Sequence, residues 1–546
     1  MLSSQRKTPN KSYARLAQVL LSQSQRPEPF VTGLALVTAM AKDKKPLHVN
    51  LFEMASVVHH ATGLWAEPND QRGRIDEIGF WTELAQLLEH GTFDCLFLAD
   101  VLGAYDHNGL AEELSSGHQI PTLDPLSLIP AMAAVTSGLG FGATCSTTYE
   151  PPFAFARRAS TLDFITNGRF AWNIVTSYLT NAAQNFGLEG QLPHDDRYHI
   201  ADEYLEVLYK LWEGSWDDDA LVLDRERRIV SDPSKVRYIN HVGENYRVKG
   251  PHLTHPSPQR TPFLFQATRS NAGKEFAARH AEALFTSGAG EIGRENLADL
   301  RARLVRHGRK PGDIKIFPGA TIVTGRNDVE VADKEALYRR VRFENSRLHP
   351  SRLGVDLARF KPQETVAAII ARQEEGWERL QQAVGRLSQA ETTIADLIER
   401  QKNGAIGRVG RDGREREAFR AIGTPKVVAD QIEKWLDEDG IDGINLRQDA
   451  SFDTVRDFVE LIVPELRRRG RYREAYAPGE TLRERVSGAG ARLPDYHFGA
   501  RYRDPKNLDG PRPPLVFPEV PPEVKERESQ RDRQVALPSP AIGTAP

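Results

Sequence analysis

Short apolar runs alternate with amphipathic stretches of helical period along most of this chain. The apolar runs are His48–Met54, Cys95–Asp100, Leu139–Ser146, Arg169–Thr176, Phe263–Ala267, Ala283–Ser287, Ile314–Thr324 and Gly443–Arg447. Bounded by turn-forming residues, they read as buried strands. Between them, Phe80–His90, Leu126–Thr136, Phe153–Ile165, Tyr198–Trp212, Asn271–His280, Arg294–His307, Lys426–Asp437 and Thr454–Arg468 repeat apolar residues at helical spacing. Such alternation signals a parallel sheet, because parallel neighbours need a crossover connection. Eight strand–helix units predict an α/β fold, a closed (β/α)8 TIM barrel, where an open doubly wound sheet more often has five or six strands.

Insertions break this rhythm. The charged stretch 216–250, with short strand-like pieces, predicts an excursion after strand four. Residues 345–423, strongly helical from Glu364 to Lys402, predict a longer one after strand seven. Long insertions on a barrel act as covers for its mouth. The barrel and its insertions are expected over residues 46–485, and the Pro/Arg-rich stretch 486–546 as a mostly disordered tail. In the first 45 residues, eight basic side chains face two acids. Transit peptides share that composition. The favoured reading is a disordered extension, or residues upstream of a start at Met40.

Composition narrows the class without choosing a function. The 546 residues are 40% hydrophobic and 27% charged, ordinary for a soluble protein with a large core. A net charge of −3 exerts no pull toward nucleic acid or an anionic membrane. No apolar run approaches the ~18 residues of a spanning helix, so a cytoplasmic location is expected. The two cysteines, Cys95 and Cys145, read as buried reduced thiols and offer no metal-site spacing.

The chemistry gathers at strand ends. Ligands of closed or open parallel sheets sit outside the carboxyl ends of the strands. There stand Asp100, then Thr144, Ser146 and Thr147, then Thr176, Ser177 and Tyr178. His194 and Tyr198 lie four apart and share one face if a helix has begun by then. Ser270 is placed to cap a helix whose first N–H groups make a phosphate seat, with Arg269 adding charge. His59 and His60 follow strand one and are candidates for proton transfer. Asp100, Thr144 and Ser270 have plain alternatives as a cap, a strand residue and a cap. The run Gly288-Ala-Gly290-Glu-Ile-Gly293 matches a dinucleotide fingerprint but lacks the acid at the end of the next strand, so NAD binding is rejected. Metal and serine hydrolase motifs are missing, and no metal site is expected.

At these residues the chain resembles the bacterial-luciferase-like flavin monooxygenases, in the branch containing nitrilotriacetate monooxygenase component A and dibenzothiophene-sulfone monooxygenase. The likeness rests on Phe97-Leu-Ala-Asp-Val-Leu-Gly103, Gly142-Ala-Thr-Cys-Ser-Thr-Thr-Tyr149, Gly168-Arg-Phe-Ala-Trp-Asn-Ile-Val-Thr-Ser177, Asn185-Phe-Gly187, Glu275-Phe-Ala-Ala-Arg-His280 and Val463-Pro-Glu-Leu-Arg-Arg-Arg-Gly-Arg-Tyr472. The resemblance implies a barrel that takes reduced FMN from a separate NAD(P)H:flavin reductase. It implies FMN contacts at Asp100, Thr144, His194, Tyr198 and Ser270, with Ser177 and Tyr178 near the ring. O2 would add to flavin C4a, and the resulting peroxyflavin would oxygenate or cleave a small organic substrate at a C–N or C–S bond. A homo-oligomer is also implied. The chain departs from the family at Thr268-Arg269, where Gly-Ser is usual, and at Glu150-Pro-Pro-Phe153, where Tyr-Pro-Pro-Tyr is familiar. Two other readings share this scaffold: a deazaflavin-dependent hydride-transfer enzyme and a non-catalytic flavin-binding protein.

Overall fold

Eight parallel strands close on one another in the computed structural model, which describes residues 44–106, 110–286, 289–348, 357–372, 391–402, 417–510 and 512–519. They are β1 (His48–Met54), β2 (Cys95–Ala99), β3 (Gly140–Ser146), β4 (Phe170–Val175), β9 (Phe263–Ala267), β10 (Ala283–Thr286), β11 (Lys315–Thr324) and β13 (Gly443–Arg447). Each pairs in that order with the next, and β13 returns to β1 through His48↔Gly443 and Leu51↔Leu446. This is the TIM barrel that the alternating pattern predicts. A further strand, β12 (Phe419–Gly423), runs parallel to the outer half of β11, where Ala320 pairs with Leu446 on one edge and with Phe419 on the other.

Side chains alternate between two environments, as the period of a strand requires. Val49, Leu51, Leu96, Leu98, Phe141, Trp172 and Leu264 pack outward against the helices. Cys95, Phe97, Ala171, Phe263, Phe265, Ala283 and Phe317 fill the interior. Ring centroids of Phe97 and Phe265 lie 5.2 Å apart, and those of Phe265 and Phe317 5.9 Å apart. Gly142 makes room for this packing, since a Cβ there would stand 3.3 Å from Cys95 Sγ. The polar interior pair is matched: Asn50 Nδ2 donates to Asn445 Oδ1 at 2.9 Å, and Asn445 Nδ2 donates to the Phe317 carbonyl at 3.2 Å. The barrel is therefore a packed core rather than a pore.

A short helix, Leu482–Ser487, closes the end where the strands begin. Leu482 and Val486 belong to the interior cluster. The Leu482 N–H donates to the Gly168 carbonyl, and Arg485 Nη1 to the Asp94 carbonyl, so the plug touches the chain just ahead of β4 and β2. Arg483 is wholly buried. It donates to both oxygens of Glu282 at 2.7 and 2.9 Å and to the carbonyls of Thr261 and Pro262 at 2.8 and 3.0 Å. A capping box holds the plug's first turn, Thr481 and Glu484 bonding each other's backbone N–H.

The stretch 216–250 forms two hairpins, β5 (Leu221–Asp224) with β6 (Ile229–Ser231) and β7 (His241–Val242) with β8 (Arg247–Val248). Buried polar contacts moor the second hairpin to the helix His194–Tyr209, with His241 Nε2 3.2 Å from Glu203 Oε1. In the stretch 345–423, the described residues include helices Val366–Arg372 and Ile394–Lys402, which share a small core of Leu357, Phe360, Val366, Ile369, Ile394 and Leu397. The described residues from 45 onward form one compact unit. The stretch assigned to a tail stays attached well past residue 485, since Leu493, Tyr502, Leu508 and Leu515 are buried in the main core. The expected extension over residues 1–45 falls outside the described residues except at its last two, as do residues 520–546. No described helix is long and apolar enough to cross a membrane.

Glu282→Gln leaves Arg483 a buried, uncompensated charge, which costs about 3–5 kcal/mol. Urea unfolding is expected to register that loss, while the Glu282→Leu/Arg483→Met double variant loses less than the single one. Equal losses would contradict the role given to this ion pair.

Candidate active site

The strands all end at one rim, and two adjoining cavities of about 720 and 770 Å³ open there. Asp100, Val101, Leu102, Val175 and Ser177 line both. The first cavity also gathers Tyr178, His194, Tyr198 and Ser270, and the second gathers Thr144. Seven residues from five separate stretches of the chain thus meet along one rim.

One end of the first cavity joins a helix N-terminus to hydroxyls and two arginines. Ser270 caps the helix Asn271–His280, its Oγ accepting the Gly273 N–H at 3.1 Å. The first-turn amides of such a helix have no intrahelical partner and carry the positive end of its dipole. A Cβ on Gly273 would lie 1.8 Å from Thr268 Oγ1, 2.6 Å from the Tyr198 hydroxyl and 2.9 Å from Ser270 Oγ. Three hydroxyls therefore converge on the one position of that turn that has no side chain. Thr268 Oγ1 is buried without a hydrogen-bond partner, and Arg269 and Arg197 complete the lining. His194 opens the helix that carries Tyr198, and their rings sit 5.2 Å apart. Its Nδ1 lies 2.7 Å from Asp195 Oδ1, which fixes the ring.

The wall between the cavities is held under strain. Ser177 has φ of 57°, in the left-handed region that non-glycine residues rarely adopt. Two contacts hold it: its Oγ donates to Ser146 Oγ at 2.8 Å, and Arg197 donates to its carbonyl. Arg197 also donates to the Leu192 carbonyl at 3.1 Å. The Thr144 hydroxyl donates to the Leu98 carbonyl and accepts from Asn173 Nδ2, both at 2.9 Å. It thereby stitches β2, β3 and β4 at the lining of the second cavity. Burial pushes the Asp100 carboxyl up to about 7; Asp124 adds to the shift and the Val101 N–H opposes it. Tyr178 is half exposed at the entrance, its hydroxyl against that of Tyr105.

His59 and His60 stand one layer back and line neither cavity. Their ring centroids lie 3.7 Å apart, tilted by 33°, and both rings rest on Phe52, at 4.7 and 5.0 Å. Phe52 in turn lies 4.8 Å from Phe285, which lines the first cavity. Burial holds His59 below the usual imidazole range despite Glu53 at 3.8 Å, so its ring is neutral at pH 7. Among the described residues no cluster of His, Cys, Asp and Glu is fit to hold a metal. Reading the sequence missed Arg197, which sits inside the His194–Tyr198 motif, and Tyr105, whose only signal is an aromatic ring after strand two.

Comparison with known proteins agrees with this architecture. The family model for luciferase-like monooxygenases matches residues 54–443. Long-chain alkane monooxygenase of Geobacillus thermodenitrificans (strain NG80-2) is 44% identical over 466 residues, covering 84% of this chain and 98% of that protein. A crystal structure of long-chain alkane monooxygenase superposes with a TM-score of 0.72, covering 84% of this chain and 100% of its own. Dimethyl-sulfide monooxygenase of Hyphomicrobium sulfonivorans is 41% identical over 472 residues, covering 84% and 94%, and its structure gives a TM-score of 0.73. A riboflavin lyase crystallised with a modified FMN and riboflavin is 33% identical, with a TM-score of 0.70 over 84% of this chain and 100% of that one.

Asp100 has a folded-state pKa of about 7 against an ordinary 3.8, so folding favours its protonated form. Its destabilising effect is absent at pH 3 and grows as pH rises from about 4 to about 7. In thermal melts Asp100→Asn is expected to gain on the wild type across that window and hold its lead above it. A difference that does not change with pH would refute the raised pKa.

Proposed function

Because the chain belongs to the luciferase-like monooxygenase family, we propose that its rim binds reduced FMN and uses O2 to oxygenate a small organic substrate. The carrying observation is the convergence of Thr268, Ser270 and Tyr198 hydroxyls on Gly273, at a helix N-terminus beside two arginines. An unpartnered buried hydroxyl and a cradle that a single methyl would fill suit a phosphate group. The junction of the two cavities at Ser177 and Asp100 suits the ribityl chain and ring, leaving the rest of the second cavity beside the ring.

Reduced flavin, when bound, would supply the two electrons with which O2 places one oxygen atom on the substrate and the other in water. The protein's own part is to hold, orient and exclude. Ser270, Thr268, Tyr198 and the first-turn amides seat the phosphate. Ser177, held in its strained geometry by Arg197, and Thr144, held by Asn173, set the wall against which the cofactor lies. Asp100, poised near neutrality, accepts or donates a hydrogen bond according to its protonation. Phe285, backed by Phe52 and Phe97, closes the floor against water. His59, neutral and behind Phe52, acts on proton movement at one remove.

The second cavity favours an apolar substrate. Leu102, Leu110, Ile120, Leu123, Leu126 and Phe186 line it, and its lining arginine, Arg158, is engaged by Glu150 at 2.5 Å. A polycarboxylate would need cations that are not already paired. Of the two bond types the sequence suggests, this argues for C–S over C–N chemistry, with thioethers and hydrocarbons the first substrates to try. A separate NAD(P)H:flavin reductase completes the proposal.

Two experiments test it. Anaerobic titration with FMNH2 should saturate for the wild type and weaken at least about tenfold for Gly273→Ala, since the added methyl intrudes on three hydroxyls. Unchanged affinity would remove the seat. With reductase-supplied FMNH2 and ¹⁸O2, thioethers or alkanes should gain one labelled oxygen atom. Hydrogen peroxide as the sole oxygen product across that panel would overturn the assignment.

A further inference from the structure

The helix Asn271–His280 carries the proposed phosphate seat at its first turn, and at its other end, about 15 Å away, lies a second concentration of positive charge. A cavity of about 410 Å³ there is lined by Arg279, Arg309 and Arg501, with His307, Tyr496 and Phe498. It lies outside the barrel, between this helix and the 3₁₀ segment Phe498–Arg503. Its cations are short of counter-charge. Arg309, 4% exposed, donates only to backbone carbonyls, Ala278 at 3.0 Å and Asp313 at 3.1 Å, and its Nε has no partner. Arg279 shares the single carboxylate of Asp202 with Arg512 and His280, and its Nε is likewise unpartnered. Arg501 forms no ion pair among the described residues; it lies over Phe498 at 5.5 Å, while Arg279 lies over the same ring at 4.9 Å.

Three of the nearby acids are already paired. Asp495 lines the cavity but pairs with Arg503 at 3.1 Å. Glu282 is taken by Arg483, and Glu275 holds His307 at 2.8 Å together with Arg303 and Arg306. Asp313, whose Oδ2 accepts the backbone N–H of Lys310 at 2.7 Å, keeps its charge but meets Arg309 only through its main-chain carbonyl. A buried guanidinium without a carboxylate costs several kcal/mol unless an anion joins it. Guanidinium forks match phosphate oxygens bidentately.

We propose that this cavity is a binding site for the phosphoryl group of a small phosphorylated molecule, separate from the rim. The volume exceeds that of a lone phosphate, and the Tyr496 and Phe498 rings offer an apolar wall for the organic part. Arg501 and Arg309 clamp the oxygens, and Arg279 is held in place by the Phe498 ring.

The test is calorimetric titration of the full chain with inorganic pyrophosphate and with AMP, in chloride buffer at fixed ionic strength. Ser270→Ala serves to weaken the rim seat. Saturable binding of either probe is expected, weakened at least about tenfold in Arg501→Gln, weakened less in Arg501→Lys, which keeps the charge but loses the fork, and retained in Ser270→Ala. AMP binding tighter than pyrophosphate would place the organic group on the aromatic wall; the reverse order would assign the site to a bare diphosphate. The absence of saturable binding, binding indifferent to Arg501→Gln, or loss confined to Ser270→Ala would overturn the proposal. Far-ultraviolet circular dichroism and the thermal midpoint, unchanged in both Arg501 variants, separate lost binding from lost fold.

Discussion

Closure of a parallel sheet makes its two ends inequivalent, and the rest of this molecule follows from that. Every strand begins at one end and finishes at the other. The interior cannot supply a site, because Phe97, Phe263, Phe265 and Phe317 fill it edge to face. The starting end cannot supply one either, because the helix Leu482–Ser487 plugs it and Arg483 knits that plug to the loops before β9 and β10. Polar chemistry is left with the finishing end. There the strands deliver Asp100, Thr144 and Ser177 side by side although the chain separates them widely.

What makes that rim selective is the set of polar groups denied a partner inside the protein. Inside the barrel Asn445 is spoken for, its oxygen accepting from Asn50 and its amide donating to the Phe317 carbonyl. Thr268 Oγ1 is not, and it adjoins the first turn of a capped helix. A native protein carries such a cost where a ligand relieves it. The left-handed backbone of Ser177 is a second cost at the same rim, held by Ser146 and Arg197. The raised pKa of Asp100 is a third.

Much of this was legible in the chain. The eight barrel strands and the helix over Asn271–His280 follow from apolar runs and their caps, and Ser270 caps as its position suggests. Other parts carried weaker signals. β12 reads Phe-Arg-Ala-Ile-Gly, too short and too mixed to stand out from a long helical stretch. The plug has only six residues, four of them polar or charged, and its burial depends on a barrel interior that no local pattern reveals. Its capping box, Thr481-x-x-Glu484, was the available clue. Thr268 looked like a departure where a glycine is usual, yet its hydroxyl joins those of Tyr198 and Ser270 around Gly273. Arg197 was hidden because a charged residue on a helix is ordinarily solvated, and only the fold turns it toward the Ser177 carbonyl.

The central claim is a matter of position, and a crystal structure of the protein soaked with oxidised FMN tests it most directly. The account predicts the phosphate within hydrogen-bond distance of Ser270, Thr268 and Tyr198, with the isoalloxazine ring reaching past Ser177 toward Asp100 and Thr144. A flavin seated elsewhere, or lying with its phosphate at Asp100 and its ring at Gly273, would contradict it.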